Sequence, residues 1–249
     1  MSERRVTVLD PNLPPNLSPK GAGIDELLRT NESEHCGRLR TMLHGSALMD
    51  MQAIDTDQGR TDIEADSAAE EADVALAAHL ASHRDHPAVR SLGAMSESGD
   101  QPPLLVLSGA VLAYGVLAGD RRATGAGARM LGSLVLATWM KTGLKRLVAR
   151  TRPNVLLDQG QYEVEPFGPD EGSWHSFPSG HTAGSVAVAR AIGRVYPRAR
   201  IPAYAGAAAI ALVQIPRGAH YPADVVVGAA VGMAAEAAIN GVARALSSR

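Results

Sequence analysis

The sequence predicts an all-α fold: a helical bundle preceded by a polar N-terminal arm. Two observations carry this. After about residue 100 the chain is a succession of apolar segments, rich in Ala and Gly, separated by short charged or Pro-containing breaks. Before about residue 60 it is polar and shows no sustained hydrophobic period. The organisation expected is a disordered or loosely ordered arm over 1–60, an amphipathic helix and linker over 61–99, and the bundle over 100–249.

The arm carries Pro11, Pro14, Pro15 and Pro19 among alternating charges, a composition that does not support a packed core. Its start lacks an apolar h-region, so no secretory signal peptide is expected. The single cysteine, Cys36, excludes an internal disulfide. A net charge of -2 implies no general attraction to nucleic acid. Ser67 and Glu70 have the spacing of a capping box and predict a helix running to about His83. His79, His83 and His86 read as a solvated face, since no Cys or carboxylate stands at a familiar metal-ligand spacing around them.

The uncharged run Gln101 to Gly119 is just long enough to cross a bilayer. A second apolar helix over Gly125 to Met140 leads into Lys141 and Lys145. Residues 154–175 read as a loop. Three further helices are expected over about 180–195, 201–215 and 222–246, the last with Glu236 inside it. Loop arginines at 121, 122, 194, 198, 200, 244 and 249 would face the cytoplasm by the positive-inside rule, but five spans would then place the polar arm outside. The sidedness is left open by these residues.

Three stretches carry chemistry. In Ser176-Phe177-Pro178-Ser179-Gly180-His181, Pro178 fixes its φ and Gly180 allows close backbone approach. Ser179, Gly180 and His181 then stand at a helix N-terminus, where free N–H groups and the helix dipole favour an anion. Upstream, Lys145 is followed after six residues by Arg152-Pro153, and downstream His220 is followed after three by Asp224. A continuing helix would put Lys145 and Arg152 on one face. Arg146 and Arg150 read as a cationic helix end at a membrane surface. The Asp224 carboxylate is expected to reach one ring nitrogen of His220 and fix its tautomer.

Together these stretches resemble the signature of the type 2 phosphatidic acid phosphatase superfamily, which also holds the vanadium haloperoxidases and the bacterial class A acid phosphatases. The resemblance covers roughly residues 100–245. One feature departs from it: Val213 and Gln214 stand where the family has Ser-Arg, and the nearest Arg is Arg217, three residues before His220. The resemblance implies hydrolysis of a phosphate monoester or diphosphate, with His220 as nucleophile forming a phosphohistidine, Asp224 as its support and His181 as general acid. Lys145, Arg152, Ser179, Gly180 and Arg217 would hold the phosphate. No metal and no cofactor are implied. The substrate class is a lipid phosphate (phosphatidic acid, a phosphatidylglycerol phosphate or an isoprenyl diphosphate), and the location a multi-pass protein of a bacterial-type inner membrane. Two other functions are compatible with the same residues: a phospholipid-binding membrane protein without turnover, because Gln214 replaces the family Arg, and a vanadate-dependent haloperoxidase. The residues do not define the oligomeric state.

Overall fold

The computed structural model of the protein describes residues 4–9, 60–65 and 67–247. The described residues 4–8, 62–65 and 67–247 belong to one compact unit. The expectation of a disordered arm falls outside the described residues, except at strand β1 (Arg4–Leu9), which pairs with β2 (Arg60–Ala65).

Helix α1 (Ala68–Ala81) starts as its capping box predicts, with the Ser67 hydroxyl accepting from the Glu70 N–H at 3.2 Å. Val74, Ala77, Ala78 and Ala81 recur at helical spacing and form its buried face. A helix absent from the sequence reading follows: α2 (Pro87–Ser96), with Pro87 at its first turn and the His86 imidazole accepting from the Ala88 N–H at 3.2 Å. His79 and His83 are exposed, as a solvated face requires. A 3₁₀ turn over Glu97–Gly99 leads into α3 (Gln101–Leu117).

Helix α4 (Arg121–Leu147) is longer than its apolar run, because Asp120 caps it by accepting from the N–H groups of Arg122 and Ala123 at 2.8 and 3.1 Å. The stretch expected as a plain loop is structured. Strands β3 (Val148–Arg150) and β4 (Val164–Pro166) pair antiparallel, with Ala149 opposite Glu165. Between them lies the short helix α5 (Pro153–Gln159), ended by Gly160 in the left-handed conformation. The bundle closes with α6 (Gly180–Val195), α7 (Arg200–Val213) and α8 (Pro222–Ser247).

Helix α6 is the centre of the bundle and packs on α3, α4, α7 and α8. Its Ala183, Ala187 and Ala191 are wholly buried. Where α8 crosses it, a Cβ on Gly228 would lie 2.6 Å from the Ser179 carbonyl, and one on Gly232 would lie 2.4 Å from the Ala183 carbonyl. Glycine is therefore required at both places, and this close crossing sets α8 against the start of α6. Glu236 of α8 is buried and accepts from Arg190 at 3.1 Å and Arg194 at 2.9 Å, so the two arginines inside the apolar α6 segment have a partner.

The outer surface is apolar, with Val106, Leu117, Trp139, Ile201, Leu212 and Val226 exposed. Among the described residues, the segment Pro222–Leu246 is the one helix long and apolar enough to cross a membrane unaided. The α2–α3 pair passes as a second candidate when counted as one span bent by 48°.

Candidate active site

The site assembles where the N-terminus of α6, the end of α4, the start of α5 and the loop before α8 converge. Ser179 is the N-cap of α6. Its hydroxyl is buried and accepts from Thr182 Oγ1 at 2.9 Å and the Thr182 N–H at 3.4 Å, while its own N–H donates to the Asp224 carbonyl at 3.0 Å. The structure thus uses the Ser179 side chain as a helix cap, and the N–H groups that follow are the anion-facing donors of this turn. At Gly180 a Cβ would stand 2.8 Å from Lys141 Nζ, so an ammonium lies directly over the helix start. The sequence reading passed over Lys141 as a site residue. Its signal was one helical turn's spacing from Lys145, on the same face.

Lys145 Nζ donates to the His175 carbonyl at 2.9 Å. Arg152 does not share a helix face with it, because α4 ends at Leu147 and β3 intervenes. The chain turns back through β3 instead, and Arg152 becomes the N-cap residue of α5. Its Nε is buried with no hydrogen-bond partner among the described residues. Burial first, then the nearby Arg217 charge, lower its basicity. A half-buried guanidinium whose Nε has no hydrogen-bond partner among the described residues, set beside other cations, is an anion-binding arrangement.

His220 is buried, and its Nδ1 lies 2.6 Å from the Ser176 carbonyl. A carbonyl only accepts, so Nδ1 carries the proton and Nε2 presents its lone pair. Burial depresses the basicity of His220, the carboxylate of Asp224 opposes this, and the charges of Arg152 and Lys145 add to the depression. The ring is therefore held neutral.

Asp224 does not bond the ring as the i,i+4 spacing suggested. Its Oδ2 stands 3.8 Å from Nδ1 and accepts from Ser176 Oγ at 2.5 Å and the Tyr221 N–H at 2.8 Å. Its Oδ1 accepts from Arg150 Nη1 at 3.0 Å. Asp224 thus fixes Ser176, whose carbonyl fixes His220.

Arg150 is a further correction. It is no surface cation: it is buried, with Nη2 donating to Asp73 Oδ2 at 2.8 Å and Cζ lying 3.8 Å from the Tyr221 ring centre. Asp73 of α1 also accepts from the Ala223 N–H at 2.7 Å, in the first turn of α8. β-Strand geometry turned Arg150 inward, which a helical reading of the segment could not show. Arg146 remains exposed.

Gly218, at φ +70°, turns the loop that carries Arg217. Arg217 Nη2 donates to Glu97 Oε1 at 2.6 Å, and Nη1 donates to Ser96 Oγ at 2.8 Å and Gln214 Oε1 at 3.5 Å. Gln214 is buried and donates to Ser96 Oγ at 3.2 Å and the Ile210 carbonyl at 2.9 Å. Gln214 therefore braces Arg217 and faces the packing of α2. The other Glu97 oxygen stands 3.6 Å from His181 Nε2. In the fold, ligand atoms of Glu97, Asp100 and His181 lie within 4.8 Å of one another.

Within an α-helical bundle, two histidines, one of them held neutral, thus stand with Lys141, Lys145, Arg152 and Arg217, an arrangement suited to an anion. The PAP2 superfamily matches over residues 126–245, and that part of the chain is a PAP2 domain. Relatives include lipid A 1-phosphatases from Rhizobium etli and Rhizobium johnstonii, each 34% identical over 106 residues. Those matches take in 43% of this chain and span 45% and 43% of the relatives' lengths. In fold the chain is similar to Aquifex aeolicus LpxE, with TM-score 0.52 and 22% identity over 67% of this chain and 93% of that one. A transmembrane PAP2 type phosphatidylglycerolphosphate phosphatase from Bacillus subtilis aligns over 82% of this chain and 95% of its own, at 20% identity and TM-score 0.49.

Replacing Arg150 with Met should leave the Asp73 and Asp224 carboxylates unpaired and destabilise the protein by ~3–5 kcal/mol. Thermal unfolding of purified Arg150→Met checks this, and an unchanged midpoint contradicts it.

Proposed function

We propose that this protein is a metal-independent phosphatase that hydrolyses a phosphate monoester or diphosphate carried by a membrane lipid, through a phosphohistidine at His220. The observation that carries the reading is His220 itself: Nδ1 is pinned to the Ser176 carbonyl, and Nε2 is left with its lone pair beside Lys145 and Arg152. Nε2 attacks phosphorus, the P–N bond forms, and the P–O bond to the leaving group breaks, which is the alcohol of a monoester or the inner phosphate of a diphosphate. His181 supplies the proton to the departing oxygen. Lys145, Arg152, Arg217 and the N–H groups at Gly180 take up the charge on the remaining phosphoryl oxygens. Water then cleaves the P–N bond, with His181 as base, to release phosphate.

The lipid in this reading rests on two supports: the name of the curated relatives and the apolar exterior of the bundle. The same exterior supports a multi-pass membrane location, with α3, α4, α6, α7 and α8 as the buried set. Binding without turnover, the alternative raised by Gln214, loses its motive if Arg217 supplies the missing charge. Its place beside Glu97, which faces His181, supports that substitution.

The test is phosphate release from dispersed lipid phosphates by the purified protein. His220→Ala should abolish release, and turnover within about tenfold of wild type removes His220 as nucleophile. Arg217→Ala should cost about 100-fold or more, and Gln214→Ala less, since Gln214 acts by bracing. The reverse order would return the phosphate-binding role to Gln214. Activity should persist in EDTA, because the phosphate faces cationic side chains. Loss in chelator with recovery in magnesium would move the positive charge to a cation at Glu97, Asp100 and His181.

A further inference from the structure

The 3₁₀ turn before α3 lies outside the three motif stretches, yet one of its side chains touches two of the groups assigned to the reaction. Glu97 uses one carboxylate oxygen on each: Oε1 accepts from Arg217 Nη2 at 2.6 Å, and Oε2 stands 3.6 Å from His181 Nε2. His181 Nε2 is buried and makes no hydrogen bond closer than this ion-pair contact among the described residues, and Asp100 is the second carboxylate near the ring, with ligand atoms of Glu97, Asp100 and His181 within 4.8 Å of one another. We propose that Glu97 is a positioning residue for the phosphatase reaction: it holds Nε2 of His181 so that Nδ1 delivers the proton to the leaving oxygen, and it anchors Arg217 beside the same phosphoryl group. The proposal rests on the phosphatase reading given above.

The chemistry follows from which atoms can donate. Glu97 accepts only, so it favours the ring form with a proton on Nε2, and that leaves Nδ1 for the proton in transit. A carboxylate behind a histidine orients the ring and supports the imidazolium form without taking part in the proton transfer. The Arg217 contact keeps the Glu97 side chain ionised, through its hydrogen bond first and its charge as well. The arrangement is also held from below: Ser96, next in the chain, accepts from Arg217 Nη1 at 2.8 Å and from Gln214 Nε2 at 3.2 Å. Gly93 of α2 leaves room for the Arg217 side chain, since a Cβ there would come within 3.3 Å of Arg217 Cγ and Cδ. So α2 and the turn after it form a bracket for Arg217, with Glu97 as the arm that reaches His181.

Glu97→Gln is the discriminating change. Gln keeps the length but has a single acceptor oxygen, so it cannot accept from both Arg217 and His181. Two substrates with the same alkyl tail are compared, one an alkyl phosphate and one a nitrophenyl phosphate. The first needs its leaving oxygen protonated and the second does not. Glu97→Gln should lower the alkyl-to-nitrophenyl ratio of kcat by about tenfold or more, with KM for the two moving together. In a His181→Gln background the same substitution should leave the ratio unchanged, which isolates action through His181 even if the single variant is less stable. Equal losses on both substrates overturn the proposal while leaving the phosphatase reading standing. A faster Glu97→Gln, or one that binds vanadate more tightly, also overturns it, because the carboxylate would then be a competitor for the anion's place. A wild-type protein inert on both substrates overturns the phosphatase reading and this proposal with it.

Discussion

The site depends on keeping the Asp224 carboxylate charged where no water reaches it. Asp224 is 0% exposed, and a buried carboxylate without compensation is strongly disfavoured. Arg150 provides the compensation, and Asp73 completes it on the other side of the guanidinium. Each link has a geometric consequence. Asp73 ties α1 to the first turn of α8 through the Ala223 N–H. Asp224, once held, takes the Ser176 hydroxyl and the Tyr221 N–H. Ser176 then presents its carbonyl to His220, and the tautomer follows. The nitrogen proposed to attack phosphorus is thus defined by a chain of contacts that begins on α1, well before residues 126–245.

Helix packing supplies the other half of the geometry. The Gly228 and Gly232 backbone lies against α6 at distances that leave no room for a side chain. That crossing brings the Asp224 carbonyl to the Ser179 N–H and locks the start of α8 to the start of α6. The Glu236 contacts with Arg190 and Arg194 tie the same two helices together along their length. His181, Lys141 and Lys145 are therefore carried on packed helices, and His220 on a short loop pinned to the Ser176 carbonyl, which suits the proposed reaction's dependence on preset charge.

Much of this was legible in the sequence. The five apolar segments matched five helices, with α6 at 180–195 and α8 beginning at Pro222. His220, Asp224, Lys145 and Arg152 could be named because spacing along the chain carried them. What was not legible depended on strand geometry and on contacts between distant segments. Arg150 looked like a surface cation because nothing in the sequence showed that α4 stops at Leu147 and that β3 turns the side chain inward. The Asp224 partner was misread because i,i+4 spacing proposes contact with His220, whereas the Ser176 hydroxyl and backbone, 48 and 44 residues away, hold the two groups. Lys141 and Glu97 were missed for a related reason. One lay just outside a motif, and the other lay in a linker whose approach to His181 exists only in three dimensions.

The central claim is that His220 Nε2 becomes covalently bonded to phosphorus. The direct measurement is rapid quenching of the wild-type protein during turnover of a lipid phosphate, followed by mass spectrometry of its peptides under alkaline conditions. The account predicts an acid-labile, base-stable phosphate on His220 that decays as inorganic phosphate appears. A protein that turns over at full rate, with no phosphate on His220 or with phosphate on another residue, would contradict it.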